Sequence, residues 1–366
     1  MNINYTTKVL LQENKYCILT FFDTILYTNS DLNDIIIKIC NKYPYLKKTP
    51  TIDSFQEADF KIEDQYKIIK DSFENFDKYI DSINEPFTTK QQWKLYYIMD
   101  DENKKYRIYF NIDHSYADGH KIGEILLIFK KDPHIHTNRR TISFMKRIYY
   151  IIFGTIMLFF NFIKFMYNII QKEPVIINQK IDYIKCKPFK LSKIKESIKK
   201  ISVNDFLYSI LIKTDHLYTN TKRNILCISP FKFGKNNYNN LTGMYINTSN
   251  TNDVHEIFNN YKYSLFIPIF SNMLDMLTNI IPFHIIYKLS KYGMNRLDYV
   301  YSNLIGPSDE YMKNVHFLIY PTNSEIVFNI ISSNDDINII CSFKEGAIKD
   351  KQRFEECIYK AYESLI

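Results

Sequence analysis

The sequence predicts an α/β (α+β) fold in two lobes, with mixed sheets flanked by helices. Segments that alternate apolar and polar residues, as strands do, occur together with segments that have the 3.6-residue periodicity of helices. The two kinds do not alternate regularly, which favours a two-layer arrangement over a doubly wound parallel sheet. With 366 residues, of which 46% are hydrophobic, the chain has ample material for the core of such a fold.

The first lobe is expected over residues 1–131. Its strands are assigned where apolar and polar side chains alternate, and its helices where apolar side chains recur every three or four residues. Ser30 is expected to cap the first helix, and Pro44 ends it. In chain order the predicted elements are a strand over 16–27, a helix over 30–43, a hairpin of strands over 92–99 and 106–112, and a helix over 120–130.

The second lobe is expected over residues 180–366, after a linker over 132–179. Its first helix follows Ser202 and carries Phe206, Ile210 and Leu211 on one face, which indicates burial of that face. In chain order the predicted elements are a helix over 205–217, strands over 223–228, 244–247, 296–302, 325–332 and 337–343, and a closing helix over 350–365.

The linker combines positive charge with a long apolar segment. Residues 139–200 contain 14 Lys or Arg against 3 Asp or Glu, whereas the whole chain has a net charge of +7. Residues 148–163 carry no charge, and Lys164 alone separates them from further apolar residues. We expect a membrane-embedded or membrane-lying hairpin over 148–170. The alternative is a helix buried between the lobes. Nucleic acid is not expected as a partner, because no recognition motif accompanies the basic stretch.

The cysteines indicate a reducing compartment. All six are scattered, without a Cys-x-x-Cys pair, and residues 1–13 lack the apolar run of a signal peptide. We therefore expect reduced, buried thiols in a cytosol-facing protein.

The residues that best indicate a reaction are His114, Asp118 and Gly119, a His-x-x-x-Asp-Gly element directly after a predicted strand. A histidine titrates near neutral pH, so at the end of a strand it can act as general base for acyl transfer to an alcohol. Asp118 is in reach to brace the loop or the ring, and Gly119 is free to take a positive φ in a turn. Alternatively, Asp118 and Gly119 form an ordinary turn and His114 is a surface residue.

A metal site is a less favoured interpretation of the same region. Asp113, His114, Asp118 and His120 offer suitable ligand types within eight residues. Side chains alternate along a strand, however, and this separates Asp113 from His114.

Four segments carry a family resemblance. They are Asp113-His114-Ser115-Tyr116-Ala117-Asp118-Gly119, Pro86-Phe87 followed by Trp93-Lys94-Leu95, Val203-Asn204-Asp205, and Ser302-Asn303-Leu304-Ile305-Gly306-Pro307. Together with the last strand and helix, in this order, they resemble the wax ester synthase/diacylglycerol acyltransferases, a family of the chloramphenicol acetyltransferase-like superfamily. The family signature is His-His-x-x-x-Asp-Gly, so Asp113 stands where the first His is expected. Ile305 replaces a proline, and the chain is shorter than is usual for the family.

The resemblance implies a two-lobed chloramphenicol acetyltransferase-like fold, here with a membrane-associated helical insertion. It implies an O-acyltransferase that esterifies a long-chain alcohol or diacylglycerol, with acyl-CoA as co-substrate and no cofactor. The implied partners are acyl-CoA, the lipid acceptor and a membrane surface, on the cytosolic face of the endoplasmic reticulum or on a lipid droplet. Two other possibilities stay open: the same fold with a sterol, small alcohol or amine as acceptor, or a catalytically silent lipid-binding protein.

The resemblance also implies roles for individual residues. His114 would be the base, with Asp118 and Gly119 as its catalytic neighbours and Gly119 letting backbone N–H groups approach the oxyanion. Substrate-binding positions would be Asp113, Asn204, Asp205, Ser302, Asn303 and Gly306. Asn204 or Asp205 could equally serve only as the cap of a helix.

Overall fold

The computed structural model of the protein describes residues 17–51, 54–72, 91–129, 143–174, 180–198, 201–232, 241–319 and 324–366. Residues 86 and 87 of the family resemblance and the end of the predicted helix at Lys130 lie outside these residues.

The strands are β1 (Cys17–Thr24), β2 (Thr49–Pro50), β3 (Phe55–Gln56), β4 (Tyr66–Lys70), β5 (Trp93–Asp100), β6 (Lys105–Asp113), β7 (Ile181–Lys185), β8 (Phe189–Lys190), β9 (Ile225–Lys232), β10 (Leu241–Thr248), β11 (Tyr299–Ile305), β12 (Lys313–Ile319), β13 (Ile326–Ser333) and β14 (Asp336–Lys344).

These strands form two large mixed sheets. The first lobe contains a five-stranded sheet in the order β12-β1-β6-β5-β4, with the small β2-β3 pair as a separate sheet. The second lobe contains a seven-stranded sheet in the order β10-β9-β11-β13-β14-β7, with β8 also paired to β14. Each large sheet has a parallel pairing among antiparallel ones, β4 with β5 in the first and β11 with β9 and β13 in the second.

Helices cover both sheets, which agrees with the predicted α+β architecture. They are α1 (Asn29–Lys42), α2 (Gly119–Leu126), α3 (Phe144–Tyr149), α4 (Thr155–Gln171), α5 (Leu191–Ser197), α6 (Val203–Thr219), α7 (Val254–Tyr263), α8 (Phe266–Ile280), α9 (Phe283–Met294) and α10 (Lys351–Glu363).

The start of α1 differs from the prediction. Thr28, not Ser30, is the N-cap, because its hydroxyl accepts the Asp31 N–H at 3.2 Å while the Asp31 carboxylate accepts the Thr28 N–H at 2.7 Å. This reciprocal pair is a capping box, in which two otherwise unpaired N–H groups are satisfied. Ser30 lies in the first turn of the helix.

Strand β12 joins the two lobes. In sequence it lies between β11 and β13 of the second sheet, but it belongs to the first sheet. It pairs with β1 in the first sheet. Side chains of the second sheet hydrogen-bond to its backbone: Asn329 Oδ1 accepts the Ile319 N–H at 3.1 Å, and the Ser342 hydroxyl donates to the Ile319 carbonyl at 2.6 Å. Asn338 Nδ2 donates to the Val315 carbonyl at 2.9 Å. Buried amide and hydroxyl groups thus replace strand pairing between the sheets.

The lobes share their hydrophobic interior. The core of the first lobe contains Ile18, Trp93 and Phe110, and it continues into the second sheet through Val300 and Val327. All six cysteines are buried and none forms a disulfide, which agrees with the predicted buried thiols. Burial raises the pKa of the Cys40 thiol to about 11, which leaves it in the unreactive protonated form at neutral pH.

The apolar linker is one continuous helical run, so the predicted hairpin over 148–170 is wrong. Helix α3 passes through a π-helical segment, Tyr150–Gly154, directly into α4, and no turn interrupts the run. Among the described residues, this run, Phe144–Gln171, is the one stretch of helix long and apolar enough to cross a membrane.

Candidate active site

The β5-β6 hairpin places His114 at the end of a buried strand, as the sequence predicts. Trp93 lies opposite Ile112, and the Asp113 N–H donates to the Gln92 carbonyl at 2.8 Å, which extends the pairing to the last residue of β6. The chain then turns, and the Tyr116 N–H donates to the Asp113 carbonyl at 3.1 Å. His114, 5% exposed, therefore stands on a rigid support inside the protein.

Asp113 is the last residue of β6, and His114 follows it in the turn. Asp113 pairs with Cys17 of β1. Its carboxylate accepts the Ser115 N–H at 2.8 Å, which stabilises the turn around His114. Burial raises the pKa of Asp113 to about 6, and the bonds from Ser115 oppose this shift.

Asp118 caps helix α2. One carboxylate oxygen accepts the Lys121 N–H at 2.7 Å, and the Asp118 carbonyl accepts the Ile122 N–H at 2.9 Å. The five-residue turn from His114 to Asp118 is thus held at both ends by a carboxylate that binds backbone N–H groups. Asp118 therefore fixes the start of α2 directly after the turn that carries His114.

Gly119 lies where α2 packs closely against the second lobe. It begins α2 without the positive φ that glycine permits, since in the described part of the chain the one glycine with positive φ is Gly346. A Cβ at Gly119 would lie 2.5 Å from Cδ2 of Leu304. The absence of a side chain therefore lets α2 approach β11 closely, next to the segment of Ser302 and Asn303.

Asn204 and Asn303, which are 99 residues apart, meet at the other side of this junction. Asn303 Nδ2 donates to Asn204 Oδ1 at 2.8 Å, and the Tyr301 hydroxyl donates to the same oxygen at 3.0 Å. The structure therefore brings together the third and fourth of the segments that carry the family resemblance. Tyr301 was not predicted, because only its contact with Asn204 distinguishes it from other core tyrosines.

Asp205 has structural partners. The cap of α6 is Ser202, neither Asn204 nor Asp205: the Ser202 hydroxyl accepts the Asp205 N–H at 3.1 Å, and the Asp205 carboxylate accepts the Ser202 N–H at 2.7 Å. His255 Nδ1 also lies 2.7 Å from Asp205 Oδ2. These contacts tie the start of α6 to α7.

Ser302 and Gly306 lie along the path by which the chain leaves β11. Ser302 is buried and pairs with Asn329 of β13. The Gly306 N–H donates to the Ser332 carbonyl at 2.7 Å, and a Cβ at Gly306 would be 2.9 Å from that oxygen. Gly306 thus permits a close approach of backbone to backbone.

A half-buried ion pair within α2 was not predicted. Lys121 Nζ lies 2.6 Å from Glu124 Oε2, and the Tyr43 hydroxyl donates to the same oxygen at 2.9 Å. The Lys-x-x-Glu spacing on a helix was the available signal. His120 Nδ1 lies 3.3 Å from Glu124 Oε1 at the protein surface. Within the described residues, no group of three or more His, Cys, Asp or Glu side chains could hold a metal ion.

Two mixed sheets, a buried histidine in the turn after a central strand, and a close junction between the lobes define a chloramphenicol acetyltransferase-like fold. Solved structures with this fold cover nearly the whole chain. The wax ester synthase/diacylglycerol acyltransferase from Marinobacter aquaeolei VT8 is 12% identical with a TM-score of 0.62, over 100% of this chain and 98% of that one. The trichothecene 15-O-acetyltransferase TRI3 from Fusarium sporotrichioides is 9% identical with a TM-score of 0.67, over 99% and 94%.

The EpoB cyclization-docking bidomain from Sorangium cellulosum is 9% identical with a TM-score of 0.61, over 100% of this chain and 83% of that one. At these identities the similarities establish the fold, and they confirm the predicted fold class. Residues 250–366 match the WS/DGAT C-terminal domain, and this confirms the predicted resemblance to the wax ester synthase/diacylglycerol acyltransferases. No curated protein sequence matches the chain. The domain and the fold together support an acyltransferase.

Proposed function

We propose that the protein transfers an acyl group from acyl-CoA to the hydroxyl of a long-chain alcohol or diacylglycerol, with His114 as general base. The observation that carries this proposal is the position of His114, buried in a turn that Asp113 and Asp118 hold at both ends, beside the junction of the lobes. The names of the matching domain and of the Marinobacter relative support a lipid acceptor.

The proposed reaction is a direct transfer. His114 takes the proton of the acceptor hydroxyl while its oxygen forms a bond to the thioester carbonyl. The C–S bond then breaks, and the proton passes from the imidazolium to the departing CoA thiolate, which leaves a neutral histidine, an ester and CoA. A positioned general base typically accelerates such a step by about 10²–10⁴-fold. No cofactor and no covalent acyl-enzyme enter this scheme.

The other sites of the proposal are positioning and binding residues. Asp113 and Asp118 keep the turn in place, and Gly119 keeps α2 against β11. We assign Ser302, Asn303 and Gly306 to the wall of the substrate path, with Asn204 holding Asn303 in its orientation. Asp205 does not contact substrate in this proposal; its carboxylate stabilises the start of α6, the helix that carries Asn204.

The test is lipid synthesis in cells that lack their own wax ester and triacylglycerol enzymes. Cells fed labelled fatty acid and fatty alcohol would express the native chain, His114→Ala, or His120→Ala, in which a half-exposed histidine of the same segment is changed. We expect new ester from the native chain and from His120→Ala, and none from His114→Ala at equal protein levels. Ester formation that survives His114→Ala would contradict the proposed base. No ester from a stable native chain would contradict the proposed acceptors.

A further inference from the structure

Helix α4 is fixed along its length to the second lobe. Its inner face consists of Leu158, Phe162, Phe165 and Ile169, at the spacing of one helix face. The Phe162 ring lies 4.8 Å from that of Phe270 in α8, and the Phe165 ring lies 5.2 Å from that of Tyr245 in β10. One side of the helix is thus part of the protein core.

Both ends of α4 are anchored as well. At its start, a Cβ on Gly154 would lie 2.8 Å from Oδ1 and 3.6 Å from Cα of Asn260 in α7, so Gly154 packs closely against that residue. At its end, Lys172 Nζ lies 2.7 Å from Asp298 Oδ1, and Arg296 Nε donates to the Lys172 carbonyl at 2.8 Å. A helix held in this way cannot cross a bilayer unless the second lobe enters the bilayer with it.

The outer face of this helical run is apolar and exposed. Phe160 is 65% exposed, and the exposed large apolar residues of the run include Phe144, Met145, Ile152, Phe153, Ile156, Met157, Phe159, Ile163, Tyr167 and Ile170. Such a contiguous apolar area is unusual on a soluble monomer and indicates an interaction surface.

Helices α8 and α9 extend the exposed apolar area. Both contact α4. Exposed apolar residues follow one stripe of α8, preceded by Leu265 and continuing through Ile269, Met273, Met276 and Ile280, while α9 contributes Ile285, Leu289 and Tyr292. We call the outer faces of the α3-α4 run, α8 and α9 the three-helix surface.

The charges of these helices are almost all positive. Residues 144–172, 266–280 and 283–294 contain six Lys or Arg and a single Asp. Lys146, Arg147, Lys164, Lys288 and Lys291 are exposed. Long basic side chains beside an apolar face can reach the lipid headgroups while the face enters the acyl boundary. This charge is complementary to an anionic leaflet and unfavourable for a second basic copy of the same surface.

We propose that the three-helix surface binds flat to an anionic membrane leaflet, with α4 lying in the headgroup–acyl boundary rather than spanning the bilayer. The bound membrane would present lipid acceptors to the protein, but the proposal does not depend on the reaction. It extends the predicted membrane contact from one helix to three.

The first test is binding of the purified chain to phosphatidylcholine vesicles with and without phosphatidylserine. Phe160→Asp, Ile280→Asp and Leu289→Asp each change one helix of the surface, and Leu26→Asp changes an exposed apolar residue of a first-lobe loop as the matched control. We expect tighter binding to the anionic vesicles. Each of the three variants should weaken it roughly ten- to hundredfold, since one buried apolar side chain contributes about that much. Leu26→Asp should bind as the native chain does, with all melting temperatures unchanged.

The second test distinguishes a lying helix from a spanning one. Trp93 is fully buried, so a tryptophan placed on the outer face reports separately from it when free and vesicle-bound spectra are compared. Phe153→Trp and Tyr167→Trp are 14 residues apart, about 21 Å along a helix. In vesicles with brominated lipids, equal shallow quenching of both would support the proposal. A difference in depth of about 20 Å would overturn it.

Three other results would also overturn the proposal. The native chain could fail to bind vesicles while the three Asp variants convert a dimer into monomers, which would identify a second copy as the occupant. Phe160→Asp alone could abolish binding, which would confine the contact to α4. Equal binding to vesicles with and without phosphatidylserine would remove the role of the basic residues.

Discussion

The N-termini of α2 and α6 are both stabilised by a carboxylate, but the residues around the two carboxylates differ. At α2, Asp118 is the N-cap and the preceding turn carries a buried histidine; at α6, Ser202 is the N-cap and Asp205 binds His255 directly. In both places a carboxylate accepts backbone N–H groups, which the positive end of the helix dipole also favours. An acidic residue in a family motif can therefore be explained by the local folding of a helix start. A catalytic role is indicated only where other reactive side chains, such as a buried histidine, lie beside it.

The largest expected difference between the two starts is in catalysis. His114→Ala should lower the acyl-transfer rate by about 10²–10⁴-fold, the usual contribution of a general base. His255→Ala should leave the rate within a few-fold, because His255 contacts Asp205 and Asn259 at the start of α7. Steady-state kinetics with matched melting temperatures would measure both. A comparable loss of transfer rate in His114→Ala and His255→Ala would show that the two helix starts do not differ in their catalytic role.

The next expected effect is a pH-dependent stability that arises from Asp113, at the turn before α2. The folded pKa of Asp113 is raised to about 6 from 3.8, so between these pH values the folded state keeps a proton that the unfolded state has lost. Stability therefore falls as the pH rises through this window. Asp113→Asn keeps an oxygen for the Ser115 N–H and should remove this slope, with a gain on the order of 3 kcal/mol at pH 7. Urea unfolding from pH 4 to 7 would measure it, and unchanged slopes in the variant would contradict the assignment.

Gly119→Ala tests whether the lobes meet as closely at α2 as the structure indicates. The new methyl group would meet Leu304 Cδ2 at 2.5 Å, and overpacking of this kind costs roughly 1–3 kcal/mol. Leu304→Ala should relieve the clash, so the double variant should lose less stability than the two single variants together. Additive losses in thermal unfolding would show that the two sites do not interact.

The smallest effect is expected at the caps themselves. Asp118→Ala removes the acceptor of the Lys121 N–H, and Ser202→Ala removes that of the Asp205 N–H; each should cost about 1 kcal/mol. Only Asp118→Ala should also lower the transfer rate, because its turn carries His114. Equal transfer rates in the two variants would show that the Asp118 cap does not hold the His114 turn in its catalytic position.

The features predicted correctly from the sequence depend on residues that are close together along the chain. The β5-β6 hairpin and the place of His114 follow from alternation within about twenty residues, and the structure confirms the hairpin. The role of Gly119 could not be predicted, because it depends on Leu304, a residue 185 positions away. Strand β4 was missed since its partner β5 is parallel and follows an interval of more than twenty residues, and β12 was missed since its partner β1 is nearly 300 residues distant.

The place of β12 has a consequence for how the chain folds as it is synthesised. Strand β1 pairs with β6 early, but its other edge accepts Ile319 opposite Ile18, and Ile319 is made about 300 residues later. At typical rates of about 5–20 residues per second, that edge stays open for tens of seconds on the ribosome. An unpaired strand edge readily binds other extended chains. The nascent protein should therefore depend on chaperones until its last fifth emerges, and chains that stop before β12 should aggregate.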